Sequence, residues 1–323
     1  PLSIFTKIHN PNYLLISSET NIFPTNYLSP LSQEWQSIKP NKIMKITHIP
    51  NQDIEYKYID IDRKHIQIEY SDTTITSNNN LIMEEQKFCL FEKIYFMNSK
   101  SYLTDFSQSI KSYRYHLSQL LIEQILNSND GSIINKMVGN MPSYLRDTKS
   151  RISQIKLVGI PETGIEYSNA IGHILKLKQC NIITKKPNYN LRTFICGSNT
   201  TRYQACIDKY NIDVRHIPNN IIILVDDSIV RGNTLYYLIS YIRKFKPKEI
   251  HVLIPSPPVA FPCHYGVDIP TSNELIINKY ESIDEVRVAL NVDTLTYLDI
   301  ENIKRKDKSI CTHCFDGNDI VDF

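Results

Sequence analysis

Apolar and polar positions follow two different rhythms along this chain. In the first part, short segments such as 42–49 and 65–70 alternate with a period of two, as half-buried strands do. Later, helical periodicity alternates with short continuous apolar runs. The stretch 106–126 places Leu117, Leu120, Leu121 and Ile125 at helical spacing, with Asp105 positioned as its N-cap. The runs 156–160, 182–184, Ile221–Val225 and Glu249–Ile254 read as strands, and 165–177 and 235–245 as helices that follow strands. Alternation of this kind predicts an α/β fold, a parallel sheet with helices on both faces. The change of rhythm within 75–100 predicts two domains, a β-rich 1–85 and an α/β 86–323.

One junction carries more chemistry than any other. Residues 221–234 read Ile-Ile-Ile-Leu-Val-Asp-Asp-Ser-Ile-Val-Arg-Gly-Asn-Thr. An apolar strand ends in two carboxylates, a loop of small residues follows, and a helix begins. Ligands of open α/β sheets bind where such strands end, and the N–H groups and dipole of a helix start favour a phosphate. Ser228, Gly232 and Thr234 let backbone approach an anion, and the two hydroxyls add donors. Asp226 and Asp227, acceptors only when ionised, suit sugar hydroxyls or a metal ion. A plain helix cap needs one Asp or Ser, not this succession. No Gly-Lys-Ser/Thr follows, so this is not a Walker A loop.

The segment resembles the phosphoribosyl pyrophosphate (PRPP) motif of type I phosphoribosyltransferases, and its wording is nearest to the glutamine PRPP amidotransferases. Other pieces occur in the same order. Ser17-Ser18-Glu19-Thr20 resembles the end of that family's glutaminase domain. Phe91-Glu92-Lys93-Ile94-Tyr95-Phe96 resembles its inter-domain segment, and Ile160-Pro161-Glu162-Thr163-Gly164 its pyrophosphate loop. Arg192-Thr193-Phe194-Ile195 resembles the end of its mobile lid, and Tyr265-Gly266-Val267-Asp268 with Glu274-Leu275-Ile276 its C-terminal signature.

The resemblance implies a type I phosphoribosyltransferase domain preceded by the last third of a class II glutaminase (Ntn-type) domain. It implies attack of ammonia on C1 of PRPP, giving 5-phosphoribosylamine and pyrophosphate in de novo purine synthesis. In that reading Asp226 and Asp227 hold ribose hydroxyls and Mg²⁺, with Thr163 as a weaker Mg²⁺ contact. Ser228, Ile229, Val230, Arg231, Gly232, Asn233 and Thr234 hold the 5′-phosphate. Thr163, Gly164 and Lys185 meet the pyrophosphate, and Lys186 and Arg192 act from the lid. Purine nucleotides as inhibitors, a homo-tetramer and a cytoplasmic setting come with the resemblance alone. The family's glutaminase nucleophile is a Cys at the mature N-terminus. Here the first Cys is Cys89 and the chain opens on Pro1, so the expectation is a fragment of a longer polypeptide, or else a decayed glutaminase.

The chain also departs from the family pattern. Lys186-Pro187-Asn188 lacks the Arg that usually follows the lid Lys, and a second usual Arg is replaced ahead of Lys209-Tyr210-Asn211. Gly164 stands for a usual Ser, and Asn233 for a Thr. Lys cannot copy the planar fork of Arg on a phosphate, so PRPP binding is better supported than turnover. A non-catalytic PRPP-binding regulator or scaffold, and a salvage enzyme joining a base to PRPP, stay open beside the amidotransferase.

Seven cysteines add a second constellation. Cys311-Thr312-His313-Cys314 is a C-x-x-C pair, which by spacing alone fits a redox couple, half a zinc site or neither. With Cys89 and Cys263 it resembles the iron–sulfur branch of the family, which implies a [4Fe–4S] cluster; four thiolates equally suit Zn²⁺. Cys180, Cys196 and Cys206 match no ligand position. The formal charge of +2 gives no argument for nucleic acid or a membrane surface, and no apolar run reaches membrane-span length.

Overall fold

The computed structural model describes residues 3–6, 14–17, 35–37, 42–47, 55–60, 87–103, 108–128, 154–187, 208–264, 266–269 and 271–318. The chain divides into two compact units. One takes Pro1–Cys89, Met97–Lys111 and Ser309–Cys311; the other takes Leu90–Phe96, Ser112–Lys308 and Thr312–Phe323.

Among the described residues the first unit is mainly antiparallel strand pairs, with one short parallel pair. Strand β1 (Ser3–Thr6) lies between β2 (Leu14–Ser17) and β3 (Trp35–Ser37), and β4 (Lys42–Thr47) pairs with β5 (Glu55–Asp60) along its whole length. Strand β6 (Phe88–Cys89) comes next, and β7 (Tyr102–Leu103) pairs with β8 (Gln108–Ser109). The expected strand at 65–70 and the Asp105 cap lie outside the described residues. Helix α1 runs Ile110–Asn127, starting later than its periodicity suggests because Gln108 and Ser109 are taken into a strand pair.

The second unit holds the α/β part. In chain order its elements are a π-helical turn Glu92–Phe96, β9 (Ile155–Gly159), α2 (Thr163–Leu175), β10 (Ile183–Lys185), β11 (Tyr210–Ile212) and β12 (Ile221–Val225). There follow α3 (Asn233–Arg243), β13 (Glu249–Ile254), α4 (Ile283–Ala289), β14 (Thr294–Tyr297) and α5 (Ile300–Lys304). Strand β15 (Ile310–Cys311), in the first unit, and α6 (His313–Asp316), in the second, complete the order.

Strands β14, β13, β12 and β9 form one parallel sheet in that order. All five residues of β12 are buried. Ile222 and Leu224 enter the core that takes Leu235, Leu238, Ile239 and Ile242 from α3, a set at helical spacing. Ile221, Ile223 and Val225 alternate with them and are buried as well, as expected of a strand covered on both faces. Helix α2 packs on β9 and β12. The pairing register brings Gly159, Val225 and Leu253 side by side at one edge of the sheet. Among the described residues no helix is long and apolar enough to cross a membrane.

Leu224 is fully buried at the centre of this sheet. Leu224→Ala should therefore cost about 2–5 kcal/mol through lost burial and a residual cavity. Urea unfolding should show a lower midpoint with an unchanged slope.

Candidate functional site at the strand ends

The site begins where β12 runs out. The Ile160 N–H donates to the Val225 carbonyl (2.8 Å) and the Asp226 N–H to the Leu253 carbonyl (3.3 Å). The chain therefore leaves β12 still held by both neighbouring strands, and Asp226 and Asp227 follow immediately. The Asp227 N–H donates to Asp226 Oδ1 (3.0 Å), and Ser228 Oγ donates to Asp227 Oδ1 (2.7 Å). The Thr163 hydroxyl bonds Asp227 from the start of α2.

Burial dominates the electrostatics of this pair. It pushes the Asp227 carboxyl up to about 6, against the Ser228 bond, the Arg114 charge and the Thr163 bond, which favour the ionised form. Asp226 is pushed up by burial and then by Asp227, with Lys209 opposing. Two acidic groups held this way gain from an arriving cation or from hydroxyl donors.

The loop 160–164 lies directly on the strand end. A Cβ at Gly164 would stand 2.6 Å from the Val225 carbonyl oxygen and 3.2 Å from Asp226 Cα. The Gly that replaces the family's Ser thus has a local reason, since this close approach leaves no room for a side chain. Glu162, just before, forms an ion pair with Lys185 of β10 (2.7 Å). The Lys186 N–H donates to the Lys209 carbonyl (3.0 Å), closing the hairpin of β10 and β11. Arg192 lies outside the described residues.

The phosphate loop is braced from the C-terminal side. Ile229 is buried, and the Val230 carbonyl accepts from the Ile276 N–H (2.9 Å). Arg231 Nε donates to Glu274 Oε2 (2.9 Å). Gly232 sits at φ +76° at the N-cap of α3, and a Cβ there would collide with Ile276 Cδ1 at 2.3 Å. Gly232 has no side chain with which to cap α3, which begins with Asn233 and Thr234.

The thiols are a separate matter. Cys89 on β6 and Cys311 on β15 are partners in the parallel pairing of those strands. In the other unit, Cys314 is buried on α6 and Cys263 is partly buried. Among the described residues no three or more His, Cys, Asp or Glu form a group able to hold a metal ion. Two carboxylates are adequate for Mg²⁺, which uses few protein ligands beside substrate phosphates and water.

Several residues at the site carry no assignment from the sequence. Glu162 and Lys209 stood within recognised segments without a role. The phenol of Tyr95 is raised by burial and then by Asp227, Asp226 and Glu162, so it shares their field. Arg114, a lone Arg in a helical stretch, gave no local signal.

No family model matches the chain. Over 169 residues it is 37% identical to the amidophosphoribosyltransferase of Mycobacterium tuberculosis, covering 50% of this chain and 32% of that protein. It is 30% identical over 227 residues to the Bacillus subtilis enzyme (68% and 45%) and over 217 residues to the human one (67% and 36%). The chain is a distant homologue of amidophosphoribosyltransferases. It spans less than half the length of these relatives. Its fold matches a solved allosteric regulatory enzyme of purine biosynthesis with TM-score 0.67 at 24% identity, covering 98% of this chain and 57% of that one. Glutamine PRPP amidotransferase from B. subtilis, solved with ADP and GMP, matches with TM-score 0.66 at 23% identity, covering 98% and 58%. These two likenesses establish the fold, a phosphoribosyltransferase-type α/β arrangement. The iron–sulfur branch is not singled out by any of the matches.

A raised pKa has a stability consequence. Asp227 prefers its proton in the fold, so the stability tied to that proton is present below the ordinary value of 3.8 and lost as pH rises through about 6. Asp227→Asn should raise the melting temperature of the ligand-free protein at pH 8 by roughly a few degrees. The gain should shrink below pH 6 in thermal melts, while Mg²⁺-PRPP binding is lost at every pH.

Proposed function

We propose that this chain carries the phosphoribosyl-transfer half of an amidophosphoribosyltransferase, a pentosyltransferase of de novo purine synthesis. The observation that carries the reading is the pair Asp226 and Asp227, half-buried and buried at the strand end, bonded through Thr163 to the pyrophosphate loop and followed by a helix start with Gly at its cap. Asp226 and Asp227 orient the ribose hydroxyls, and they are the residues that would hold Mg²⁺, which supplies charge neutralisation to pyrophosphate. The 228–234 loop receives the 5′-phosphate. Thr163 and Gly164 offer backbone N–H groups to pyrophosphate, and Lys185, Lys186 and Arg192 supply positive charge. Ammonia forms the C–N bond at C1 as the C–O bond to pyrophosphate breaks, and the displaced electron pair leaves on pyrophosphate. The protein's part is to orient these groups, exclude water and stabilise the developing charge.

In the same reading glutamine is the source of that ammonia. Control by purine nucleotides, a homo-oligomer and a cytoplasmic setting belong to the same reading by family relationship. A second reading, a PRPP-binding regulator or scaffold without turnover, is favoured by one contact. Lys185 is already spent on Glu162 in an exposed ion pair, and the neighbouring lid lacks the usual arginines.

Pyrophosphate release from Mg²⁺-PRPP should require ammonia and should disappear in Asp226→Asn. PRPP binding by calorimetry with no ammonia-dependent release would decide for the regulator.

The iron–sulfur assignment of Cys89, Cys263, Cys311 and Cys314 is part of this proposal, supported by the in-register Cys89 and Cys311 and the C-x-x-C that follows. Anaerobically purified protein should contain iron and acid-labile sulfide in equal amounts, near four of each per chain if the family cluster is present. Zinc without sulfide, or no metal, would remove the cluster from the account.

A further inference from the structure

Residues Leu90–Phe96 belong to the α/β unit although α1 and β9 are far along the chain from them. The Glu92–Phe96 turn ends with carbonyls that a helix cannot satisfy internally. Three successive ones are taken by side chains. Arg114 Nε donates to the Lys93 carbonyl (3.0 Å), the Tyr167 hydroxyl to the Ile94 carbonyl (3.1 Å), and Arg114 Nη2 to the Tyr95 carbonyl (3.2 Å). Arg114 Nη1 completes the fork on Glu166 Oε2 (2.7 Å), one residue before Tyr167 on α2. Arg114 is 3% exposed and Tyr167 is fully buried. A cation at the C-terminal end of a helical turn is also where the backbone dipole favours it.

We propose that Arg114 is a positioning residue for phosphoribosyl transfer: its guanidinium locks the Tyr95 turn onto α2, the helix that begins at the pyrophosphate loop, and so holds that loop against the end of β12. This rests on the phosphoribosyl-transfer reading and adds a residue outside its motifs. Gly164, in the first turn of α2, lies against the Val225 carbonyl, and Glu166, which takes the Arg114 fork, is two residues further along the same helix. A Lys at 114 would keep the charge but could not span two carbonyls and a carboxylate with one planar fork.

The test is Mg²⁺-PRPP affinity of the whole chain by calorimetry, with KM and kcat for ammonia-dependent pyrophosphate release, for the native protein, Arg114→Met and Arg114→Lys, with thermal melts to confirm folding. Both variants should weaken PRPP binding and raise its KM by roughly tenfold with a smaller change in kcat, since neither side chain can hold the turn with a planar fork. A purely structural role would lower the melting temperature and leave affinity and KM unmoved, which overturns the proposal. If the Met variant does not fold, the Lys variant decides alone: native affinity in it overturns the proposal. Native protein that binds no PRPP at any pH would overturn the phosphoribosyl reading itself, and this inference with it.

Discussion

Two carboxylic acids at the end of a fully buried strand set the terms for the rest of this structure. Ionised carboxylates are costly to desolvate, and the cost rises when two stand together. Asp226 and Asp227 follow Val225 with no intervening residue; Asp227 is buried and Asp226 half-buried, and both keep their protons more readily than exposed acids. A cation or hydroxyl donors would offset the cost of ionising the pair.

The surroundings can be read as support for that pair. Gly164 lets the neighbouring loop lie against the Val225 carbonyl, which puts Thr163 within bonding reach of Asp227. On the other side, Glu274 and Ile276 hold the loop at Arg231 and Val230, and Asn278 ties that segment to Ala260 and Ser272. Behind, Arg114 joins α1, α2 and the Tyr95 turn. Each brace comes from a different stretch of chain. The result is a site whose geometry depends on the sheet and little on any single loop.

Much of this was legible from the residues. The continuous apolar run of β12 reports burial on both faces, and its abrupt change to Asp226-Asp227 marks the strand end without any coordinates. Helix α3 is written in Leu235, Leu238, Ile239 and Ile242. The start of α1 was misjudged because strand pairing by Gln108 and Ser109 overrides helical periodicity at its entry. Arg114 was invisible for another reason. Its partners are main-chain carbonyls some twenty residues away and a carboxylate fifty-two residues away, and backbone acceptors leave no trace in a sequence. The thiols show the converse: a resemblance that implies four ligands, of which strand register sets Cys89 beside Cys311.

The central claim is that the carboxylate pair stays partly protonated until ligand arrives. Calorimetric titration of Mg²⁺-PRPP near pH 6, in buffers of different ionisation heat, counts the protons exchanged on binding. Mg²⁺ and sugar hydroxyls favour the ionised acids, so binding should release protons at pH 6 and fewer at pH 8, where Asp227 is already charged. Binding that releases no protons at pH 6, or an equal number at both pH values, would contradict the account.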